Sequence, residues 1–305
     1  MAPSLTSYSV GILGTGAIGG FLAAGFWKKG FPVNCIVKES SLDLLKLEGL
    51  HVHSTVIGAV HAHPNFSTSL THAPSILFIT TKSTDLLAAL DRIVIAIPQK
   101  TLIIPLLNGL EHLDVLRKRF PEATVCAGTI SIESKYVNPS TIDQPSPHAS
   151  IELGINDENS IPLLEATRDK IRTIGIQCSV LRSEPEVLWR KLVRLNAIAI
   201  TTAATQKPIG EIRSDTVWRE KLVACVTEAV AVAKKDGISL SVDAVMKQID
   251  NLPEALGTSL QRDVAAGKAN ELDSIPMAIV RRGQKFGISC PTILSLANQI
   301  KQVTK

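Results

Sequence analysis

Tyr8-Ser-Val-Gly-Ile-Leu-Gly-Thr-Gly-Ala-Ile-Gly19 sets how the chain begins: a short apolar run passes straight into Gly-x-Gly-x-x-Gly at Gly14, Gly16 and Gly19. Gly14 suits the tight turn after a strand, Gly16 lets the backbone come close to a pyrophosphate, and Gly19 lets the next helix pack on the strand. Together with Thr15, Ala17 and Ile18, these residues read as a dinucleotide-binding turn. Its phosphates meet a helix N-terminus, where unpaired N–H groups and the helix dipole favour negative charge. The surroundings fit, because residues 17–29 read as an uninterrupted, mostly apolar helix and residues 32–37 as a second buried strand. Lys38 follows, where NAD-specific folds usually carry an acid for the ribose 2′-hydroxyl; a cation there favours a 2′-phosphate, hence NADP(H) as cofactor. Two alternatives stay open: Lys38 as a solvated surface lysine, and Glu39 beside it as the ribose acid if the strand runs one residue longer.

Working outward, residues 75–80 and 101–107 read as buried strands and 84–97 as an amphipathic helix. Residues 125–133 and 149–153 read as strands around a proline- and serine-rich connection at 139–147, a surface hairpin or loop. A helix at 161–174 and a strand at 176–181 follow. Repeated βα units imply a parallel sheet with helices on both faces. From residue 185 strand patterns vanish, and 186–204, 217–236, 242–251, 259–266, 271–286 and 291–301 carry helical periodicity. The expected fold class is α/β: a Rossmann-like, mostly parallel sheet domain that binds NADP over residues 1–183, then an all-α domain for substrate and catalysis over 184–305.

With 305 residues, 45% of them apolar and 20% charged, the chain can bury two ordinary cores. A net charge of +4 without basic runs, and only 4% aromatics, argues against nucleic-acid binding but suits an anionic cofactor and substrate. Five scattered cysteines without a Cys-x-x-Cys pair read as buried reduced thiols of a cytoplasmic protein. No targeting segment is expected, and no apolar run reaches the roughly 20 residues a membrane span needs. His51, His53, His61 and His63 alternate as ligands on one strand face would, but no carboxylate or cysteine completes a set. The polar face of a hairpin is the expectation, with no metal.

Seven segments then carry a resemblance across essentially the whole chain. They are the turn at Gly14, Thr81-Lys82, Leu107-Asn108-Gly109, Leu188-Trp-Arg-Lys-Leu192, Ser259-Leu-Gln-Arg-Asp263, Asn270-Glu-Leu-Asp273 and Gly287-Ile-Ser-Cys-Pro291. In order and spacing the chain resembles the ketopantoate reductase (2-dehydropantoate 2-reductase) family. The resemblance implies an NADPH-dependent oxidoreductase that reduces a small-molecule 2-oxo acid to a 2-hydroxy acid, with ketopantoate to (R)-pantoate, as in pantothenate biosynthesis, the leading reaction. It implies that Lys191 is the general acid, a role its ammonium suits if its pKa is brought toward neutrality. It further implies that Glu271 serves catalysis and touches substrate and cofactor, that Asn108 and Lys82 flank the nicotinamide end with Asn108 also binding substrate, and that Ser259 and Arg262 hold the substrate. A homodimer is kept open.

Each residue has a plainer reading. Lys191 sits in a run that also suits a solvent-facing basic helix edge, Asn108-Gly109 suits a turn, Ser259 an N-cap, and Glu271 a first-turn acid. Trp189 reads as a core anchor. One departure bears on substrate choice: four and eight residues after the lysine the family presents asparagines, and here stand Leu195 and Ala199. Asn196 is one residue out of step, a rotation of about 100° on a helix. A more apolar pocket opens the substrate to a branched or aromatic 2-oxo acid. A non-catalytic NADP-binding regulator, and a sugar- or polyol-phosphate dehydrogenase using Arg190 and Arg194 for the phosphate, remain as alternatives.

Overall fold

The computed structural model describes residues 8–303, which divide into two compact units. The first takes in the described residues up to Leu107 together with His112–Val187; the second takes in Asn108–Glu111 and the described residues from Leu188 on.

Among the described residues, the first unit opens with β1 (Val10–Leu13), α1 (Ala17–Lys28), β2 (Val33–Ile36), α2 (Glu39–Glu48), β3 (Leu50–Ser54), β4 (Val60–Ala62) and β5 (Asn65–Ser67). It continues through β6 (Ile76–Ile79), α3 (Leu86–Leu90), β7 (Leu102–Pro105), α4 (His112–Arg119), β8 (Thr124–Val125) and β9 (Ala127–Ile132). A hairpin of β10 (Lys135–Asn138) and β11 (Thr141–Gln144) follows, then β12 (Ala149–Gly154), α5 (Ile161–Thr173) and β13 (Gln177–Leu181). The main sheet is parallel throughout, in the order β5-β2-β1-β6-β7-β8. Counting only its own strands, that is the 3-2-1-4-5-6 order of dinucleotide-binding sheets, with the switch point between β1 and β6. β1 and β6 are buried at every position, which is why they read as unbroken apolar runs.

α1 is apolar all round because it is covered on both sides. It packs on β1 and β2 and also on β3, β4 and β11 of a second sheet, ordered β10-β11-β3-β4. A Cβ at Gly20 would come within 2.0 Å of Ile142 on β11, so the small residue sets how close helix and sheet approach. A third sheet, β13-β12-β9, pairs β12 parallel with β13 and antiparallel with β9.

The second unit contains most of α6 (Glu184–Thr205), from Leu188 on, with α7 (Ile209–Ser214), α8 (Thr216–Lys235), α9 (Val242–Asp250), α10 (Ser259–Ala265), α11 (Pro276–Lys285) and α12 (Pro291–Val303). Trp189 is fully buried in its core, and its indole N–H donates to Asp236 Oδ2 at 2.7 Å. An indole of this size needs such a partner once buried.

Several elements depart from expectation, each for a local reason. The helix expected over 84–97 shrinks to a short 3-10 turn at Ser83–Asp85 and α3. Beyond it the β-branched run Ile93-Val94-Ile95 disfavours helix, and Ile93 makes a parallel bridge with Leu70 instead. The strand expected over 125–133 breaks at Cys126 into β8 and β9, which belong to different sheets. The connection at 139–147 does form a hairpin, but β11 is internal to the second sheet and Ile142 is fully buried. The helix expected over 271–286 starts only at Pro276, whose ring is suited to a first turn and excluded from an interior. The elements α2, α4 and α7 were not among the helices expected from the sequence.

His51 faces His61 across the β3–β4 hairpin with rings stacked at 4.1 Å, and His61 lies 4.4 Å from His63. Among the described residues no group of three or more His, Cys, Asp or Glu side chains is placed to hold a metal ion. The five cysteines are free and buried, and no described helix is long and apolar enough to cross a membrane.

Candidate active site

In the first unit the glycine turn has a distinct reason at each position. Gly14 has φ +95°, in the region that L side chains avoid, and its N–H donates to Ile36 O at 3.0 Å. A Cβ on Gly19 would stand 1.9 Å from Gly14 O and 2.5 Å from Thr80 Oγ1, so helix and turn could not meet. Gly16 is different: a Cβ there would meet nothing within 4 Å, and its backbone suits any residue. The space in front of it is open. Gly16 is the N-cap of α1 and offers no side chain to the first-turn N–H groups of Ala17, Ile18 and Gly19, which have no intrahelical partner. Beside the turn, Thr81 Oγ1 is buried without a hydrogen-bond partner among the described residues. Open approach, unused donors and a spare hydroxyl together fit a pyrophosphate.

Lys38 is the N-cap residue of α2, two residues past β2, with Glu39 exposed at the first helical position. Its ammonium is not isolated: Nζ donates to Asp85 Oδ2 at 2.9 Å. Lys82 is exposed immediately before the Ser83–Asp85 turn.

In the second unit Asn108, Lys191 and Glu271, far apart in sequence, converge. Lys191 Nζ donates to Asn108 Oδ1 at 2.9 Å, and Asn108 Nδ2 donates to Glu271 Oε2 at 2.9 Å. One amide thus bridges a cation and a carboxylate. The segment carrying Asn108 is held by its neighbours: Gly109 has φ +105°, and a Cβ there would lie 2.2 Å from Ser274 O. Arg281 clamps Glu111 with two bonds of 2.9 and 2.7 Å and reaches Asp273 Oδ1 at 2.8 Å, tying the 108–111 segment to the turn that bears Glu271. These bonds explain why 108–111 groups with the second unit although its strand, β7, belongs to the first.

Lys191 is not a solvated helix edge. Burial lowers its pKa to about 8, against the opposing pull of the Glu271 carboxylate and with a smaller push from Arg194. Its surface is not wholly closed, yet the surrounding protein is dense enough for desolvation to dominate. Such an ammonium can give up a proton near neutral pH and stabilise a developing oxyanion.

Glu271 is buried and lies in the turn before α11, so it is not a first-turn helix acid. Ser259 is not an N-cap. Thr258 caps α10 with a capping box, its hydroxyl accepting from Gln261 N at 3.2 Å while Gln261 Oε1 accepts from Thr258 N at 3.3 Å. The Thr-x-x-Gln spacing was visible in the sequence. Ser259 and Arg262 are exposed and outside the Asn108–Lys191–Glu271 network. Thr202, which shares the Lys191 face of α6, meets Thr258 hydroxyl to hydroxyl at 2.9 Å and so joins the start of α10 to that helix. Leu195 is half-buried against the second core and Ala199 is buried. Asn196 turns to the opposite, core-facing side with Trp189, fully buried, neither amide atom having a partner among the described residues. Thr80 and Asp85, which the sequence reading passed over, hold the glycine turn and Lys38; nothing in their spacing marks them.

The family described as Ketopantoate reductase PanE/ApbA matches residues 10–158, and its C-terminal counterpart matches residues 186–304. The chain belongs to the ketopantoate reductase family. It is 28% identical over 288 residues to a 2-dehydropantoate 2-reductase of Caulobacter vibrioides, covering 93% of this chain and 94% of that one. The ternary structure of D-mandelate dehydrogenase with NADH and anilino(oxo)acetate shares the fold with a TM-score of 0.90 at 20% identity, covering 97% and 98% of the two chains. A ketopantoate reductase of this family from Ralstonia eutropha JMP134 does so with a TM-score of 0.86 at 22% identity, covering 97% and 98%. The α/β fold with a parallel sheet and a following helical region is that of these neighbours.

Proposed function

We propose that the chain is an NADPH-dependent reductase of 2-oxo acids, with 2-dehydropantoate reduced to (R)-pantoate as the leading reaction. The observation that carries this is Lys191: a lysine with its pKa brought to about 8 and its Nζ held by Asn108, which also binds the Glu271 carboxylate. A sensor that only binds a nucleotide has no use for a proton donor so arranged.

On this reading the first unit binds NADP(H). Gly14 to Gly19 receive the pyrophosphate at the start of α1, Thr81 adds a hydroxyl, and Lys38 attracts the 2′-phosphate. When bound, the nicotinamide supplies the hydride to the carbonyl carbon. The second unit supplies the rest. Lys191 Nζ donates its proton to the carbonyl oxygen as negative charge develops there, and Asn108 keeps Nζ aimed. Glu271 balances the ammonium charge and accepts a hydrogen bond from a hydroxyl. Ser259 and Arg262 are assigned to the substrate carboxylate, and Lys82 to the cofactor. Five buried free thiols support a reducing, cytoplasmic setting.

A second substrate reading has its own support. Leu195 and Ala199 leave the face of α6 next to Lys191 without amides, and one neighbour of the same fold is a D-mandelate dehydrogenase crystallised with an aromatic oxo acid. An aromatic or branched 2-oxo acid therefore stands beside ketopantoate. NADPH oxidation with ketopantoate, 2-oxo-3,3-dimethylbutanoate and phenylglyoxylate distinguishes them. Turnover is expected with at least one of the three, and preference for phenylglyoxylate would select the second reading. No turnover with any 2-oxo acid would overturn both.

A further inference from the structure

Three loops leave the carboxyl end of the parallel sheet side by side. The turn after β1 is joined to β2 by the Gly14 N–H to Ile36 O bond of 3.0 Å. It is joined to the loop after β6 by Thr80 Oγ1, which donates to Gly14 O at 2.6 Å. Lys38 stands on the loop after β2 and Asp85 on the loop after β6, and their side chains meet at 2.9 Å. Both are open to solvent, at 66% and 46% exposure, so a ligand can reach either. A second cation lies close by: the half-buried guanidinium of Arg92 donates to the carbonyl of Val37, the residue before Lys38.

In a sheet of this order, the 2′ substituent of the adenosine ribose lies past the end of the second strand. A 2′-phosphate there needs cations and no carboxylate. A 2′-hydroxyl needs a carboxylate acceptor. Lys38 and Arg92 offer the first environment, and Asp85 supplies the second at the same place. We propose that Asp85 is a cofactor-specificity residue: its carboxylate accepts the 2′-hydroxyl of NADH and opposes the 2′-phosphate of NADPH, so that NADH also binds and the preference for NADPH is weakened. This rests on the dinucleotide-reductase reading above. To bind NADPH, Lys38 exchanges Asp85 for the phosphate, and the displaced carboxylate stays beside it, which weakens the preference Lys38 and Arg92 would otherwise set.

The test is fluorescence titration of the full-length protein and its Asp85→Asn variant with NADPH and with NADH at low ionic strength, where exposed charges are least screened. Asparagine keeps the shape and removes the charge. The NADPH-to-NADH affinity ratio should rise by about tenfold or more, with NADPH tightened and NADH weakened, as loss of a charge-assisted bond predicts. Lys38→Ala should move the ratio the other way. If both nucleotides bind and the ratio in Asp85→Asn stays within about twofold of the unmodified protein, too small a change for a charged contact, the specificity role is wrong while the cofactor reading stands. If neither nucleotide binds the unmodified protein, the cofactor reading fails and this proposal with it. Matching melting temperatures of the two proteins exclude a folding defect as the cause of any change.

Discussion

A lysine can deliver a proton near neutral pH only where its surroundings loosen its hold, and Lys191, with a pKa of about 8 set by burial, meets that condition. In the proposed mechanism reduction uses its protonated form, which is present below that value and lost above it. The kcat/KM for 2-oxo acid reduction should therefore be level below about pH 8 and fall tenfold per unit above it. A limb that begins near 10 instead would show an unburied lysine or a different acid. Lys191→Ala should lower kcat by roughly a hundredfold or more, and Lys191→Arg should not restore it, because guanidinium keeps its proton. Asn108→Asp places a carboxylate where the neutral amide oxygen now accepts from Nζ, so the descending limb should move to higher pH. A limb that stays in place would show that Asn108 does not touch the acid in solution. Linkage gives an independent check on the same group. Its folded pKa lies below the ordinary 10.5, so the unfolded chain holds more protons between about 8 and 10.5 and stability rises with pH across that window. Lys191→Met should abolish that part of the rise. At this scale the glycine turn was legible from its own residues, whereas Lys191 and Asn108 stood out only through the family resemblance, since the same residues also suit a helix edge and a turn. Asp85 was not, since a single exposed acid carries no spacing signal; only the fold brings it to Lys38.

Among the elements, the turn between β1 and α1 separates what folding requires from what binding requires. Gly19→Ala would drive a Cβ to 1.9 Å from Gly14 O, so it should destabilise the protein as well as abolish nucleotide binding. Gly16→Ala meets nothing within 4 Å and should leave the melting temperature unchanged while weakening NADPH at least tenfold, because the methyl group occupies the space the pyrophosphate needs. Unchanged NADPH affinity in Gly16→Ala would mean that the phosphates lie elsewhere. On α6, Leu195→Asn should raise kcat/KM for ketopantoate relative to 2-oxo-3,3-dimethylbutanoate by roughly two- to tenfold, the worth of one hydrogen bond to the terminal hydroxyl. Strong rejection of the dehydroxylated analogue by the unmodified enzyme would show that other groups already recognise that hydroxyl. Strands buried on both faces and long amphipathic helices were legible as elements. The losses came where tertiary pairing overrode local pattern: Ile93 bridges Leu70 rather than continuing α3, and β11 enters a sheet from a stretch whose prolines and serines suggest surface.

For the whole molecule, the alternation of strands and helices predicted a parallel sheet, and its order, β5-β2-β1-β6-β7-β8, places the glycine turn at the switch point. The second and third sheets were harder to foresee, because β3 pairs with β11 and β9 with β12 across long stretches of chain that no local pattern records. The same holds for Asn108, which follows a strand of the first unit and makes its bonds in the second. The first unit holds the glycine turn, and the second holds the Asn108–Lys191–Glu271 network. The most direct measurement is steady-state NADPH oxidation by the unmodified chain and by Lys191→Ala across a panel of 2-oxo acids, with NADPH affinity measured alongside. The expected result is turnover of at least one branched or aromatic 2-oxo acid, reduced about a hundredfold or more by Lys191→Ala while NADPH affinity is retained. Turnover unaffected by Lys191→Ala, or NADPH binding with no turnover of any 2-oxo acid, would contradict it.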